Sequence, residues 1–356
     1  MASSHRIYLG TYTRNGPSEG IYAVQLDRDT GALSAPELVA AAVDPAWITL
    51  TPDRTRLYAI HAAPTQARGF SVSPTKAALT PLPTAATAAS APAVNPPSHL
   101  AIDATGRVLL AANYRDGFVA AIPLRADGSL GEPHLIRHDG RGPHPTRQEK
   151  PHVHSVTLSP DNRFVIVADL GLDRVYSYAL DAANARLAAA SPPFVATAPA
   201  SGPRHFKFGA DGRHGYVINE LNSTITAFDY EATRGAFAVL QTVPTLPADF
   251  KGASTTAEVR VHPNGRFLYG SNRGHDSIAV FGVDSSSGRL TPVEFVPSGG
   301  RTPRNFALSP DGRWLVCGHQ DTPVITVFRV DPQSGRLARM QGTAAIPSCV
   351  CVLFYD

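Results

Sequence analysis

Cysteine is nearly absent from this chain. Its 356 residues hold only 3, at Cys317, Cys349 and Cys351. So odd and sparse a set excludes a disulfide-stapled scaffold, and the spacing is not that of a structural zinc site. It fits a reducing compartment. Cys349 and Cys351 alternate within an apolar C-terminal run, where buried free thiols are expected. Charge is modest and balanced, with 32 basic residues against 29 acidic ones. No run of like charge occurs, which argues against nucleic acid or a membrane surface as partner. No apolar stretch reaches membrane-spanning length. No signal peptide is visible, because the first strand-like segment follows Met1 to Arg6 directly. The cytoplasm is therefore the expected compartment. A linker is missing too. The 31 Pro and 29 Gly are scattered over turns, so residues 1–356 read as one domain, although the length alone would allow two or three. The weakest stretch is Thr84 to Pro97, rich in Ala, Thr and Pro, which reads as a loose outer strand and loop.

What the chain does have is repetition. A short apolar strand, a Ser/Thr-Pro-Asp-Gly-Arg turn or its relic, and a second apolar strand recur six times. Arg304 to Val316 is the clearest copy. The turns centre on Pro52, Ala104, Pro160, Ala210, Pro263 and Pro310, at intervals of 47 to 56 residues. Pro presets φ, Asp bonds its own backbone and Gly takes positive φ, so each phrase is a hairpin. A period of this length with strand–turn–strand content is the mark of a β-propeller, one repeat per blade. A third strand, an Asp-x-x-x-Gly-x-Leu turn and a fourth strand follow, as at Asp284 to Leu290 and Asp331 to Leu337. Four antiparallel strands per blade is the expectation.

The termini complete the count. Ile7–Gly10, Gly20–Val24 and Leu33–Val39 read as second, third and fourth strands without a first. The run Pro347 to Phe354 supplies it. The fold predicted is all-β, a seven-bladed propeller whose N- and C-terminal strands share one blade. Closure of that kind removes exposed sheet edges.

The start of the first strand and the end of the second lie together in each hairpin. If first strands line a central channel, both positions ring one mouth. The strand starts are Ala46-Trp47, Ser98-His99, His154-Ser155, Arg204-His205, Ala257-Glu258 and Arg304-Asn305. The strand ends are His61-Ala62, Asn113-Tyr114, Asp169-Leu170, Asn219-Glu220, Asn272-Arg273 and His319-Gln320. Strand interiors are apolar, whereas these rings are rich in His, Arg, Glu and Asn. Ionisable groups gathered at a channel mouth mark a functional site. An insertion from His138 to Val153 enters the ring at His154 and is expected to form a partial lid. His214 and His262 fall in hairpin turns and are expected at the surface.

At Arg147-Gln148-Glu149-Lys150-Pro151-His152-Val153-His154-Ser155, Asp169-Leu170-Gly171-Leu172-Asp173-Arg174-Val175, Gly202-Pro203-Arg204-His205, Asn219-Glu220-Leu221-Asn222-Ser223, Ser271 to Ile278 and Pro303-Arg304-Asn305-Phe306, the chain resembles the lactonase family of seven-bladed propellers. Bacterial 6-phosphogluconolactonase and fungal carboxy-cis,cis-muconate cyclase belong to that family. The similarity covers essentially the whole chain. It implies a small-molecule lactone substrate, no cofactor and a metal-independent site, with His154, Arg204, Glu220 and Arg273 matching the cyclase's catalytic positions.

Lactone opening needs an activated water and a stabilised oxyanion. Glu220 or His154 is the base in this reading, and Arg204 and Arg273 hold the acyl or carboxylate oxygens. His205, Asn219, Asn305, Arg147 and His152 are the candidate substrate contacts. Several plainer readings stand beside these. Arg204 and Glu220 could be a structural ion pair, Asn219 and Asn272 could stabilise turns, and His61 and His99 could fill the channel. His152 and His154, two apart on a strand, could start a metal site with His205 and Glu220. The leading function is hydrolysis of a sugar lactone, most conventionally 6-phosphogluconolactone. Its rivals are muconate cyclisation, which uses the same groups, and a non-catalytic binding platform. The residues leave the oligomeric state open.

Overall fold

The computed structural model describes residues 4–14, 16–61, 67–73, 77–82 and 95–355. Ala62 and most of the Thr84 to Pro97 stretch lie outside them. The described residues form twenty-eight strands, β1 to β28 in chain order, arranged as seven four-stranded antiparallel sheets. The innermost strands are β4 (Ile48–Leu50), β8 (His99–Ile102), β12 (Val153–Leu158), β16 (Pro203–Phe208), β20 (Thr255–Val261), β24 (Pro303–Leu308) and β28 (Cys349–Phe354). The closing blade has the order β28-β1-β2-β3, where β1 is Ser4–Thr11, β2 is Gly20–Asp27 and β3 is Glu37–Ala41. The two ends of the chain thus make one blade, and Leu9 pairs with Val352. The fourth strand starts at Glu37, later than Leu33, which makes only an isolated bridge to Leu26.

The hairpin turns behave as their chemistry demands. Asp311 Oδ1 accepts from the Ser309 hydroxyl at 2.6 Å and from the Arg313 amide at 3.1 Å. Ser309 Oγ in turn accepts from the Trp314 amide at 3.0 Å. Gly312 sits at φ 72°, and a Cβ there would fall 2.5 Å from the His262 ring. That contact corrects one expectation. His262 and His214 are each only 5 % exposed, because the neighbouring blade's turn covers them. His262 Nε2 lies 2.9 Å from the Gly312 carbonyl, and His214 is packed under Gly288.

Hydrophobic layers fill the gaps between blades. Phe267, Tyr269 and Val280 of one blade meet Phe306, Leu315 and Phe328 of the next. Each such buried side chain contributes about 1.5–3 kcal/mol. Tyrosines tie the layers together. Tyr58, Tyr216 and Tyr269 donate to the Gly128, Gly288 and Gly335 carbonyls of adjacent blades at 2.8, 3.0 and 2.9 Å.

One irregularity positions the site. The ladder register of β12, β16, β20 and β24 shifts between Val153 and Ser155, Pro203 and His205, Thr256 and Val259, and Pro303 and Asn305. A bulge opposes two residues to one and re-aims a side chain. Here the extra residues include His154, Arg204 and Arg304, all of which reach one mouth of the ring.

Candidate active site

That mouth holds a cavity of about 610 Å³. His154, Arg204, Glu220 and Arg273 all line it, although they come from three blades. Arg147, the member of the insertion that reaches the wall, lines it too, as do His205 and Arg304. The insertion is held down by Gln148, fully buried, which donates to the Leu170 carbonyl at 2.8 Å and to Asp173 Oδ1 at 2.7 Å.

Glu220 is the hub. Its Oε2 receives Arg204 Nε at 2.9 Å and Arg273 Nη2 at 3.1 Å, and its Oε1 receives Arg147 Nη2. Burial opposes its ionisation, but the Arg273 and Arg204 charges outweigh burial and hold the carboxyl well below the usual range. A carboxylate so strongly ionised is a weak base. The structural ion pair and the functional cluster are therefore one assembly.

His154 is the opposite case. Its Nε2 lies 4.0 Å from Glu220 Oε2, beyond hydrogen-bond distance, and its buried Nδ1 has no hydrogen-bond partner among the described residues. Burial, reinforced by the Arg204 charge, pushes its pKa well below the ordinary 6.5 and keeps the ring neutral. The free lone pair of a neutral imidazole can take a proton. Tyr114 packs edge-on against this ring at 5.4 Å.

Donors remain for a ligand. Arg204 Nη1 is committed to the Ala257 carbonyl at 2.6 Å and to His205 Nε2 at 3.1 Å. Its Nη2 makes no hydrogen bond among the described residues. Arg304 pairs with no carboxylate among them. It donates to Gln320 Oε1 at 3.3 Å and lies 5.5 Å from the Tyr12 ring.

Three candidate contacts are elsewhere. Asn219 is fully buried and off the cavity wall, donating to Thr224 and Thr226 hydroxyls at 2.9 and 3.0 Å. Asn305 donates to Glu258 and accepts from the Val352 amide at 2.8 Å, while its neighbour Arg304 takes the cavity position. The bulge makes this exchange. His152 stacks on Tyr114 at 4.3 Å, and both its nitrogens are taken, by the Tyr114 carbonyl and Glu149. The proposed His152–His154 metal pair is thereby broken. Among the described residues no group of three or more His, Cys, Asp or Glu could hold a metal ion.

Sequence reading assigned no role to Arg304, Trp47, Tyr114 or Glu258, although all four stand in the two polar rings. Arg14, Asp44 and Asn95 reach the cavity from elsewhere, and nothing in the repeat register signals them.

The family model for the lactonase, 7-bladed β-propeller type, matches residues 6–354. The chain belongs to this lactonase family. The 6-phosphogluconolactonase of Bacillus subtilis (strain 168) is 38% identical over 304 residues, covering 84% of this chain and 83% of that protein. The 6-phosphogluconolactonase of Klebsiella pneumoniae (strain 342) is 31% identical over 297 residues, covering 83% and 84%. The solved structure of Pseudomonas aeruginosa periplasmic gluconolactonase is 34% identical, with a TM-score of 0.90 over 99% of each chain. Lactonase membership and propeller fold make the arginine–glutamate–histidine cavity the place to look for lactone chemistry.

Proposed function

We propose that this protein hydrolyses a sugar lactone bearing an anionic group, with 6-phosphogluconolactone the first candidate. The observation that carries the reading is neutral His154 on the cavity wall, its Nε2 4.0 Å from Glu220 Oε2 in the arginine cluster and hydrogen-bonded to no described residue. In this mechanism Nε2 of His154 takes a proton from water, and the hydroxide adds to the lactone carbonyl. Arg204 Nη2 and Arg273 hold the developing oxyanion in a dry setting, where such donors act strongly. The ring oxygen then leaves with the proton from His154, which gives the hydroxy acid and restores the neutral imidazole. Glu220 keeps the guanidinium groups in place and is not the base.

The anionic group follows from charge. Six arginines line the cavity, Arg14, Arg115, Arg147, Arg204, Arg273 and Arg304, against the two carboxylates Asp44 and Glu220. Arg304 is the guanidinium best placed for a phosphate or carboxylate, since a bidentate fork suits either. The named activities of the relatives support the lactone itself.

The test is pH-indicator hydrolysis of 6-phosphogluconolactone, gluconolactone and a carboxylated lactone, with a muconate as cyclisation substrate. The expected result is hydrolysis with kcat/KM highest for an anionic lactone. Arg304→Ala should raise KM for that substrate about tenfold or more, because charged hydrogen bonds contribute about 1.5–3 kcal/mol, and should spare the neutral one. Absence of hydrolysis on every lactone overturns the proposal.

A further inference from the structure

Below the cavity floor lies a second carboxylate, buried more completely than Glu220. Glu258, on β20, has no exposed surface. Every group around it donates. His205 Nδ1 is 3.1 Å from Oε2, and Asn305 Nδ2 binds the same oxygen. The Val259 amide is 3.2 Å from Oε1, and Arg260 Nε is 3.4 Å from it. Arg260 Nε donates to the Phe306 carbonyl, so it offers Glu258 its charge, and three donors plus a cation without an acceptor are matched only by an ionised carboxylate, which accepts and never donates.

The far side of His205 fixes its proton. Its Nε2 faces Arg204 Nη1 at 3.1 Å. A guanidinium can only donate, so Nε2 is the lone-pair nitrogen and Nδ1 carries the hydrogen to Glu258. Burial, with the Arg204 charge next, keeps the ring neutral. Arg204 is consequently held from three sides, by His205, the Ala257 carbonyl and Glu220, and only Nη2 is left over.

We propose that Glu258 is a positioning residue, which locks His205 in the Nδ1–H tautomer and thereby aims Arg204 Nη2 into the cavity. The chain of contacts runs from Asn305 through Glu258, His205 and Arg204 to Glu220, across three blades. Substitution by Gln breaks it in either orientation. An NH2 in the Oε2 place meets the Asn305 donor and forces the His205 proton to Nε2, against the Arg204 N–H. An NH2 in the Oε1 place meets the Val259 amide and Arg260.

The proposal rests on the lactonase reading for its kinetic arm but not for its structural one. The structural experiment is a proton–nitrogen correlation spectrum of the full-length protein with labelled imidazoles at pH 7, assigned with a His205→Gln sample. A neutral ring protonated at Nδ1 is expected for His205, and Glu258→Gln should lose that signature. With the best lactone, Glu258→Gln should lower kcat about 10- to 100-fold, the scale of a small misplacement, with KM changed less than threefold. Glu258→Asp, which keeps the charge, should recover part of the loss. Melting temperatures show whether each variant is folded. His205 protonated at Nε2, or as the cation, in the unaltered protein overturns the proposal even if Glu258→Gln does not fold. A folded Glu258→Gln with kcat within twofold of the unaltered protein overturns it as well. If no lactone is turned over, the function fails while the tautomer result still decides the positioning claim.

Discussion

Replacing Glu220 by Gln removes the one negative charge shared by three guanidinium groups. The Arg204 and Glu220 side chains are 3% and 6% exposed and that of Arg273 is 14%, so the loss is felt in a buried setting. Deleting one partner of a buried pair costs about 3–5 kcal/mol. Arg147, 37% exposed, adds little because water screens it. Unfolding entropy of about 2.1 cal/mol/K per residue over 356 residues amounts to roughly 0.75 kcal/mol/K. The melting temperature should therefore fall by about 4–7 °C in scanning calorimetry at pH 7. The rate should also fall, on the order of 10²-fold, since the arginines lose their anchor. The pH profile separates anchor from base. Glu220→Gln should keep the acid limb of kcat/KM, whereas His154→Ala should lose that limb and about 10²–10⁴ in kcat. A melting shift under about 1 °C would refute the energetic argument. An acid limb that vanishes in Glu220→Gln would move the base to Glu220.

Three further outcomes follow from burial and closure. The acid limb of kcat/KM should lie below pH 6.5, because burial and then the Arg204 charge depress His154 from that ordinary value. Buried His99 and His205 are depressed in the same direction, chiefly by burial. The unfolded chain then binds more protons below about pH 6.5, so stability should drop as pH falls through that value. The Glu220 contribution disappears at lower pH still. Melting temperatures that stay constant from pH 8 to 5.5 would contradict this. Deleting residues 347–356 removes β28 and bares the inner edge of β1, so the product should aggregate. A soluble product with a cooperative melt would count against strand closure as a source of stability.

The repeat made the ring legible. Pro-Asp-Gly turns and period-two apolar strands are local signals, and their count plus the complementary termini gave seven blades with the closing strand in place. Register also told which ends of which strands meet at one mouth, and the resemblance to the lactonase family singled out His154, Arg204, Glu220 and Arg273 among them. Register failed where the backbone departs from simple alternation. The bulges at His154, Arg204 and Arg304 turn those residues to the cavity. The same shift at Arg304 leaves Asn305 to Glu258. His214 and His262 looked exposed because a turn is exposed in isolation, but the adjacent blade covers them. The division of labour between Glu220 and His154 was equally invisible in the chain. Their residue types allow either to be a base. Only the pairing of three arginines with Glu220, across blades far apart in sequence, decides which lone pair is free.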